Sequence, residues 1–210
     1  MNTAKKFIQL ALKKQVLKFG QFTLKSGRIS PYFFNAGLFD DGESLTLLGE
    51  YFAKTLKQSG IEFDMLYGPA YKGIPIATAI ATAYYSLYQR NIPVAFNRKE
   101  IKDHGEGGVL IGAPMKGKVL IVDDVVSAGT SVRESINIIQ QNGAAVAGIS
   151  VALDRQEKGQ GELSAIGELQ QQYGLKTVSI AGLDDLIVFL ADDEGKLSLV
   201  KNYKDKYGSL

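Results

Sequence analysis

The segment VLIVDDVVSAGTS at positions 119–131 constrains the fold of this chain more than any other. Val119–Val122 is continuously apolar, as in parallel strands that are covered on both faces. Asp123 and Asp124 follow at the strand end, the edge where open α/β sheets bind their ligands. Small residues then let a ligand approach the backbone, and a helix predicted from Val132 directs its positive end at that ligand. The loop suits a phosphate and the acid pair suits neighbouring hydroxyls such as those of ribose, so the segment predicts a site for a phosphorylated sugar.

A second interpretation of this segment remains open on the residues alone. Acid pairs after strands can cap the next helix, and clusters of Ser, Thr and Gly are common in turns. The segment is neither a Walker loop, which needs G-K-[ST], nor a dinucleotide fingerprint, which needs G-x-G-x-x-G. It resembles the phosphoribosyl diphosphate (PRPP) motif of type I phosphoribosyltransferases, in which the acids hold the ribose 2′- and 3′-hydroxyls and the small loop wraps the 5′-phosphate.

Strand-like and helix-like stretches alternate along the rest of the chain. The apolar positions between Leu45 and Leu56 recur at helical spacing, and Gly60 lies where that helix would stop. Such alternation predicts an α/β fold with a mostly parallel central sheet flanked by helices. The further predicted strands are Phe63–Gly68, Val94–Phe96, Val146–Leu153 and Thr177–Ile180, and the further predicted helices are Ile74–Tyr85 and Val132–Gln141.

The first 40 residues differ from this pattern. A short amphipathic helix is followed there by a segment that is rich in aromatics and punctuated by Gly, Ser and Pro. We therefore predict a small N-terminal subdomain at 1–40, and the family resemblance implies that it is a hood that contributes to the base site. The phosphoribosyltransferase core would occupy 41–210 as a single compact unit.

Composition excludes several classes of function. A net charge of +2 gives no argument for a nucleic-acid partner. The chain has no cysteine, which excludes a disulfide framework, a thiol nucleophile and a cysteine metal site. Neither a signal peptide nor a run of about 18 apolar residues, the length that spans a membrane, is visible. We expect a cytoplasmic protein that binds neither nucleic acid nor membrane.

A second candidate anion loop, YGPAYKG, occupies positions 67–73 between a predicted strand and a predicted helix. Lys72 offers a cation, and the flanking glycines allow unusual backbone angles. A surface turn carrying a lysine explains the same residues, but PRPP needs an anion site at each end. The family resemblance implies that this loop binds the pyrophosphate, with a non-proline cis peptide bond between Ala70 and Tyr71.

The segment NRKEIKDHGEGG at positions 97–108 is charged, rich in glycine and poor in apolar residues. One interpretation is a solvated surface hairpin. The other is a mobile loop that closes over a polyanion, because three cations and the chain's single histidine fall between Arg98 and His104. On that interpretation Lys102 contributes most in the transition state. His104 would donate a hydrogen bond to a phosphate, since no second histidine exists to share a metal.

The segment FTLKSGRISPYFFN at positions 22–35 combines a lysine, an arginine and three consecutive aromatics around turn residues. These residues suit either a planar anionic heterocycle or a small core with solvated lysines. The pattern L-K-S-G-R-x-S-P-Y-F-F resembles the hood segment of orotate phosphoribosyltransferases. Together with R-K-E-x-K-x-H-G-E-G-G and VDDVVSAGTS, the resemblance extends from about Phe19 to Arg155.

That resemblance implies a Mg²⁺-dependent pentosyltransferase that converts orotate and PRPP to orotidine 5′-monophosphate and pyrophosphate in de novo pyrimidine (UMP) biosynthesis. Mg²⁺ would be held mainly by substrate and water, with no direct protein ligand. Arg155 would pair with the orotate carboxylate through a bidentate fork. The closing loop, with Arg98, Lys99, Lys102 and His104, would complete the site of a neighbouring subunit, which implies a homodimer.

The same resemblance assigns the individual site residues. Catalytic roles fall to Lys102, Asp123 and Asp124. The residues expected to bind orotate are Lys25, Phe33, Phe34, Ser127 and Arg155. The residues expected to bind PRPP are Lys25, Tyr71, Lys72, Arg98, Lys99, Lys102, His104, Asp123, Asp124, Val125, Val126, Ser127, Ala128, Gly129, Thr130 and Ser131.

Two rival functions remain. One is a type I phosphoribosyltransferase that acts on a purine, against which the hood pattern argues. The other is a regulator that senses PRPP on the same fold while it binds nucleic acid. The intact closing loop and the absence of room for an added DNA-binding domain argue against the regulator.

Overall fold

A computed structural model describes residues 2–24, 26–102, 108–127, 129–159 and 161–209, with the backbone alone for 99–102 and 108. Lys25, His104 and Ala128 lie outside the described residues, and of Lys99 and Lys102 only the backbone is described. The helices are α1 (Thr3–Lys13), α2 (Gly42–Ser59), α3 (Gly73–Tyr88), α4 (Thr130–Gln141), α5 (Ala165–Tyr173), α6 (Leu183–Phe189) and α7 (Glu194–Tyr207). The strands are β1 (Leu17–Thr23), β2 (Ile29–Phe34), β3 (Met65–Gly68), β4 (Val94–Lys102), β5 (Gly108–Gly112), β6 (Lys118–Asp123), β7 (Ala145–Asp154) and β8 (Lys176–Gly182).

The described part of the chain contains a six-stranded central sheet in the order β5-β4-β3-β6-β7-β8. Strand β3 runs parallel to both β4 and β6, and β7 runs parallel to both β6 and β8. Strand β5 is antiparallel to β4 and closes one edge. The predicted α/β architecture with a mostly parallel sheet is therefore confirmed.

Strand β6 is covered on both faces, as its apolar run predicts. Val119 and Ile121 pack with residues of α4 and α5 on one side of the sheet. Leu120 and Val122 pack with residues of α2 and α3 on the other. All four side chains are fully buried. This double burial fixes β6 near the middle of the sheet, so its carboxyl end lies between the two helical layers.

One difference from the predicted elements lies in β4. The sequence predicted a strand only over Val94–Phe96, followed by either a surface hairpin or a mobile closing loop, whereas the strand continues to Lys102. It pairs with β5 as an antiparallel hairpin, with Lys102 opposite Gly108. Pairing with β5 at Asn97 and Lys102 extends the strand without an apolar side-chain pattern, which is why the sequence did not indicate it. The role of this segment in closing over a polyanion stays a prediction.

The N-terminal segment forms its own small sheet but shares the main core. Strands β1 and β2 pair antiparallel, separately from the central sheet. The ring of Phe7 in α1 lies 6.1 Å from that of Phe34 in β2 and 6.4 Å from that of Tyr51 in α2. The subdomain boundary at residue 40 stays a prediction. Within the described residues, no helix has the length and apolar character needed to cross a bilayer.

Candidate active site

The acid pair is fixed at the carboxyl end of β6 by its own backbone. The N–H of Asp124 donates to Oδ1 of Asp123 at 2.8 Å. The carbonyl of Asp124 accepts from the N–H groups of Ala152 and Leu153 in β7, at 3.0 and 3.1 Å. Strand β7 therefore holds the turn after β6 in place, and the two carboxylates occupy the sheet edge that the sequence predicted.

The two carboxylates are electrostatically different. Nζ of Lys72 lies 2.7 Å from Oδ2 of Asp124, in an ion pair. Burial, followed by repulsion from the Asp124 carboxylate, raises the pKa of Asp123 to about 7, and Lys72 opposes this rise. The charge of Asp124 is thus balanced by Lys72, while the pKa of Asp123 lies near neutral pH.

The loop after the acid pair leads into a helix end that is open to an anion. Gly129 adopts a positive φ of 74° at the N-cap of α4, and no described side chain caps this helix. Thr130 and Ser131 in the first turn of α4, and Ser127 before it, are exposed. Backbone N–H groups and hydroxyls are therefore available together where the helix dipole favours negative charge.

The loop at 67–73 requires glycine at two positions, because the backbones of Gly68 and Gly73 are in close contact. A Cβ on Gly68 would lie 2.2 Å from the carbonyl oxygen of Gly73, so any side chain there would force the strand and helix apart. The N–H of Ala70 donates to Oδ1 of Asn97 in β4 at 2.7 Å. The peptide bond between Ala70 and Tyr71 is cis, as expected. This packing places Lys72 directly at the start of α3.

At the other end of the site, Arg155 is held by contacts on several sides. Its Nε donates to Oε1 of Glu157 at 2.7 Å, and its Nη2 donates to Oγ of Ser30 at 3.0 Å. Its guanidinium carbon lies 4.2 Å from the centre of the Tyr32 ring. A guanidinium fixed in this way can present one remaining edge to a planar anion.

The two hood aromatics differ in exposure. The Phe33 ring is 41% exposed and stacks on that of Phe22 at 5.5 Å, so it offers a surface to a ligand. Phe34 is 8% exposed and packs mainly against Phe7 in the core.

A cavity of about 890 Å³ joins these parts. Its described lining brings together residues that the sequence assigned to both substrates: Phe33, Phe34, Lys72, Asp124, Val125, Val126, Ser127 and Arg155. Other assigned residues with described side chains are outside that lining but are joined to it along the chain or the sheet: Tyr71, Arg98, Asp123, Gly129, Thr130 and Ser131.

Three residues near this cavity were missed as functional candidates. Arg28 and Glu157 line it, and Asn97 anchors the second loop through Ala70. Arg28 stood within the hood pattern, which was a usable signal. Glu157 and Asn97 act through contacts that the sequence does not reveal.

Comparisons with known proteins agree with this geometry. The sequence-family model of the phosphoribosyl transferase domain matches residues 37–165 of this chain. Orotate phosphoribosyltransferases from Cronobacter sakazakii and Edwardsiella ictaluri are 56% and 58% identical to this chain over 207 residues, which is 97% of this chain and 97% of each relative. The crystal structure of orotate phosphoribosyltransferase from Francisella tularensis is 44% identical and matches with a TM-score of 0.88, over 97% of this chain and 100% of that one. The chain has the type I phosphoribosyltransferase fold and belongs to the orotate phosphoribosyltransferase family.

Proposed function

We propose that this protein transfers the ribose 5-phosphate of PRPP to orotate, giving orotidine 5′-monophosphate and pyrophosphate, as a step of de novo pyrimidine (UMP) biosynthesis. The observation that carries the proposal is the single cavity in which the Lys72–Asp124 pair and Arg155 meet. One end of this cavity suits a phosphorylated ribose, and the other suits a flat base that carries a carboxylate.

The residues of this chain would act by positioning and by electrostatic stabilisation. Asp123 and Asp124 would accept hydrogen bonds from the ribose 2′- and 3′-hydroxyls, and the open N-terminus of α4 would hold the 5′-phosphate. As the bond between C1′ and the pyrophosphate oxygen breaks, C1′ gains positive charge and the orotate nitrogen attacks from the opposite face, inverting the centre. Lys72 would stabilise the negative charge on the departing pyrophosphate.

The orotate carboxylate would pair with Arg155, and the exposed ring of Phe33 would cover the base. Nε and Nη2 already donate to Glu157 and Ser30, so Nη1 would meet the carboxylate in place of the two-nitrogen fork expected from the sequence. A guanidinium fixed in this way restricts the base to one orientation, so that its nitrogen faces C1′. The assignments of Lys25 and Phe34 to orotate, like that of Ser127, stay predictions from the family resemblance.

The donor set of the site fits Mg²⁺ that arrives with its substrates. Among the described residues there is no group of three or more His, Cys, Asp or Glu side chains that could form a metal cage. Asp123 and Asp124 are oxygen donors beside the ribose site, whereas Mg²⁺ usually keeps water and substrate phosphates as most of its ligands. The ion would neutralise charge on the pyrophosphate, and the protein would orient the substrates that hold it.

The functional unit in this proposal is a homodimer. The family resemblance assigns the basic residues of the β4–β5 segment to the neighbouring subunit's site. Arg98, Lys99, Lys102 and His104 would close over the pyrophosphate from the partner, which excludes water. A cytoplasmic location stays a prediction of the sequence.

The deciding assay mixes purified protein with PRPP, Mg²⁺ and orotate and follows the loss of orotate's ultraviolet absorbance. Adenine, hypoxanthine and uracil are tested in parallel, and a chelator removes Mg²⁺ in a matched reaction. Of the four bases, we expect only orotate to be turned over, and we expect this turnover to require both PRPP and Mg²⁺. Turnover with a purine instead would favour the first rival, and PRPP binding with no turnover on any base would favour the regulator.

A further inference from the structure

Glu157 is an acid placed against the proposed orotate-binding arginine. Its Oε1 accepts a hydrogen bond from Nε of Arg155 at 2.7 Å and lies 2.5 Å from Nη2 in an ion pair. The side chains are 14% and 12% exposed, so solvent screens this ion pair little. Oε2 of Glu157 lies 3.8 Å from Nη1 of Arg28. One carboxylate therefore stands between two cations at the base end of the cavity.

The backbone on both sides of Glu157 is fixed by the C-terminal residues. The N–H of Lys158 donates to the carbonyl of Tyr207 at 2.8 Å, and the N–H of Ser209 donates to the carbonyl of Gln156 at 2.9 Å. Glu157 itself forms an antiparallel bridge with Gly208. The glutamate is therefore held by its main chain and need not rely on Arg155 for its position.

The contacts of Arg155 engage two of its three guanidinium nitrogens. Nε and Nη2 are engaged by Glu157 and Ser30. Nη1 makes no hydrogen bond with any residue that the structure describes, and the Tyr32 ring covers one face of the group. These contacts restrict the rotation of the planar group, and Nη1 is the nitrogen that none of them engages.

We propose that Glu157 is a positioning residue for the base: it fixes the Arg155 guanidinium so that the orotate carboxylate is met in one orientation. This rests on the proposed function, because it deepens the role of Arg155 in that site. Arg28 gives the arrangement its net attraction for an anion, since two arginines around one glutamate leave one positive charge.

A role in charge balance alone predicts the opposite sign. If Glu157 merely neutralised Arg155, its removal would increase the positive charge at the base end and strengthen the binding of orotate. If it positions Arg155, removal frees the guanidinium to rotate, and orotate binds less well despite the gain in charge. The sign of the change in the orotate KM therefore separates the two roles.

The test is steady-state kinetics of Glu157→Ala and Glu157→Gln in the full chain, with orotate and PRPP varied separately. We expect Glu157→Ala to raise the orotate KM about tenfold, the size of a lost charged hydrogen bond. Glu157→Gln retains one acceptor and should recover part of that loss, while the PRPP KM stays unchanged in both. The matched control is Glu162→Gln, because Glu162 pairs with Lys158 on the surface and touches neither arginine.

A double-mutant cycle tests whether Glu157 acts through Arg155. In an Arg155→Ala background, Glu157→Ala should add no further rise in the orotate KM. An orotate KM that is unchanged or lower in Glu157→Ala, or a full additional rise in the Arg155→Ala background, would overturn the proposal.

An NMR measurement keeps this inference separate from the proposed function. The Nε–H signal of Arg155, identified by its loss in Arg155→Lys, should exchange slowly with solvent in the parent protein and faster in Glu157→Ala. Unchanged exchange would show that Glu157 does not hold Arg155, whatever base the enzyme uses. Absence of orotate turnover in the parent protein would count against the proposed function, and the exchange rates would still decide on Glu157.

Discussion

Nζ of Lys72 lies 2.7 Å from Oδ2 of Asp124, although the two residues are 52 positions apart in the sequence. This ion pair joins the loop at 67–73 to the loop that follows β6. Lys72 lies in the loop at 67–73, immediately before α3, and Asp124 directly follows β6. The side chain of Asp124 is 12% exposed, whereas that of Lys72 is 48% exposed. The cation is therefore placed beside a buried acid while it stays accessible to a ligand in the cavity.

This relationship predicts that Lys72→Met weakens PRPP binding. The change removes the cation assigned to pyrophosphate and leaves Asp124 without its partner, so we expect the PRPP KM to rise about 10- to 100-fold, the cost of one or two charged hydrogen bonds. The orotate KM should change little. Steady-state kinetics with PRPP varied at saturating orotate would measure the effect.

The control for this variant is Lys54→Met. Lys54 also forms an ion pair at 2.7 Å, with Glu50 on α2, and its side chain is 42% exposed. It is remote from the cavity lining, so its loss should leave both KM values unchanged. A PRPP KM in Lys72→Met equal to that of Lys54→Met would rule out the assigned role.

The raised pKa of Asp123 predicts a pH-dependent effect on stability. Aspartate in an unfolded chain titrates near pH ~3.9, whereas Asp123 in the folded protein titrates at about 7. Between these values the folded protein holds the extra proton, so the contribution of Asp123 to stability is lost as the pH rises through this window. Asp123→Asn stays neutral and should stabilise the substrate-free protein more at pH 8 than at pH 4.5, because pH 4.5 is near the lower end of this window.

Thermal unfolding at these two pH values measures the effect of Asp123→Asn. We expect a gain on the order of 1 kcal/mol at the higher pH, which is about 2–4 °C for a chain of this size. The asparagine carbonyl oxygen can still accept the Asp124 N–H, so the turn itself need not change. An equal shift at both pH values would contradict the ionisation argument.

The centre of the fold and the loops that carry Lys72 and Asp124 were predictable because their signals are local. The apolar run of β6 and the helical pattern of α4 lie on either side of the acid pair in one short segment. The second loop has the same order of strand, turn and helix. In both, residues adjacent in the sequence build the binding surface, so periodicity and turn chemistry were enough.

The base end was not predictable from the residues, because its contacts are distant. Arg155 meets Ser30 across 125 positions, and Arg28 meets the carbonyl of Lys158 across 130. Helix α7 carries only two buried residues, Val200 and Tyr203, so its apolar pattern was too weak to predict a helix. No functional motif was found after Arg155, yet this helix and the residues after it support Glu157 through the backbone.

Arg155→Lys tests the geometry of the guanidinium while it keeps the charge. A lysine has one nitrogen where arginine has three, so it cannot hold Ser30 and Glu157 and meet the orotate carboxylate from separate positions, and we expect the orotate KM to rise about 10- to 100-fold. The PRPP KM should stay within about twofold, the scatter expected of a distant site. An orotate KM equal to the parent value would show that charge alone suffices and would remove Arg155 from the orientation of the base.

The last prediction concerns Lys102 and the subunit in which it acts. Lys102→Ala should lower kcat about 100-fold or more with a modest change in the PRPP KM, because its charge is proposed to act on the leaving pyrophosphate.

Asp124→Asn should also be nearly inactive. If Lys102 serves the partner's site, a heterodimer of these two variants contains one site with both residues intact. Mixing equal amounts after unfolding and refolding should then restore about a quarter of the parent activity, since half of the dimers are mixed and each has one good site. If Lys102 serves its own subunit, every site in the mixture lacks one of the two residues. Activity no higher than that of either variant alone would therefore overturn the shared site.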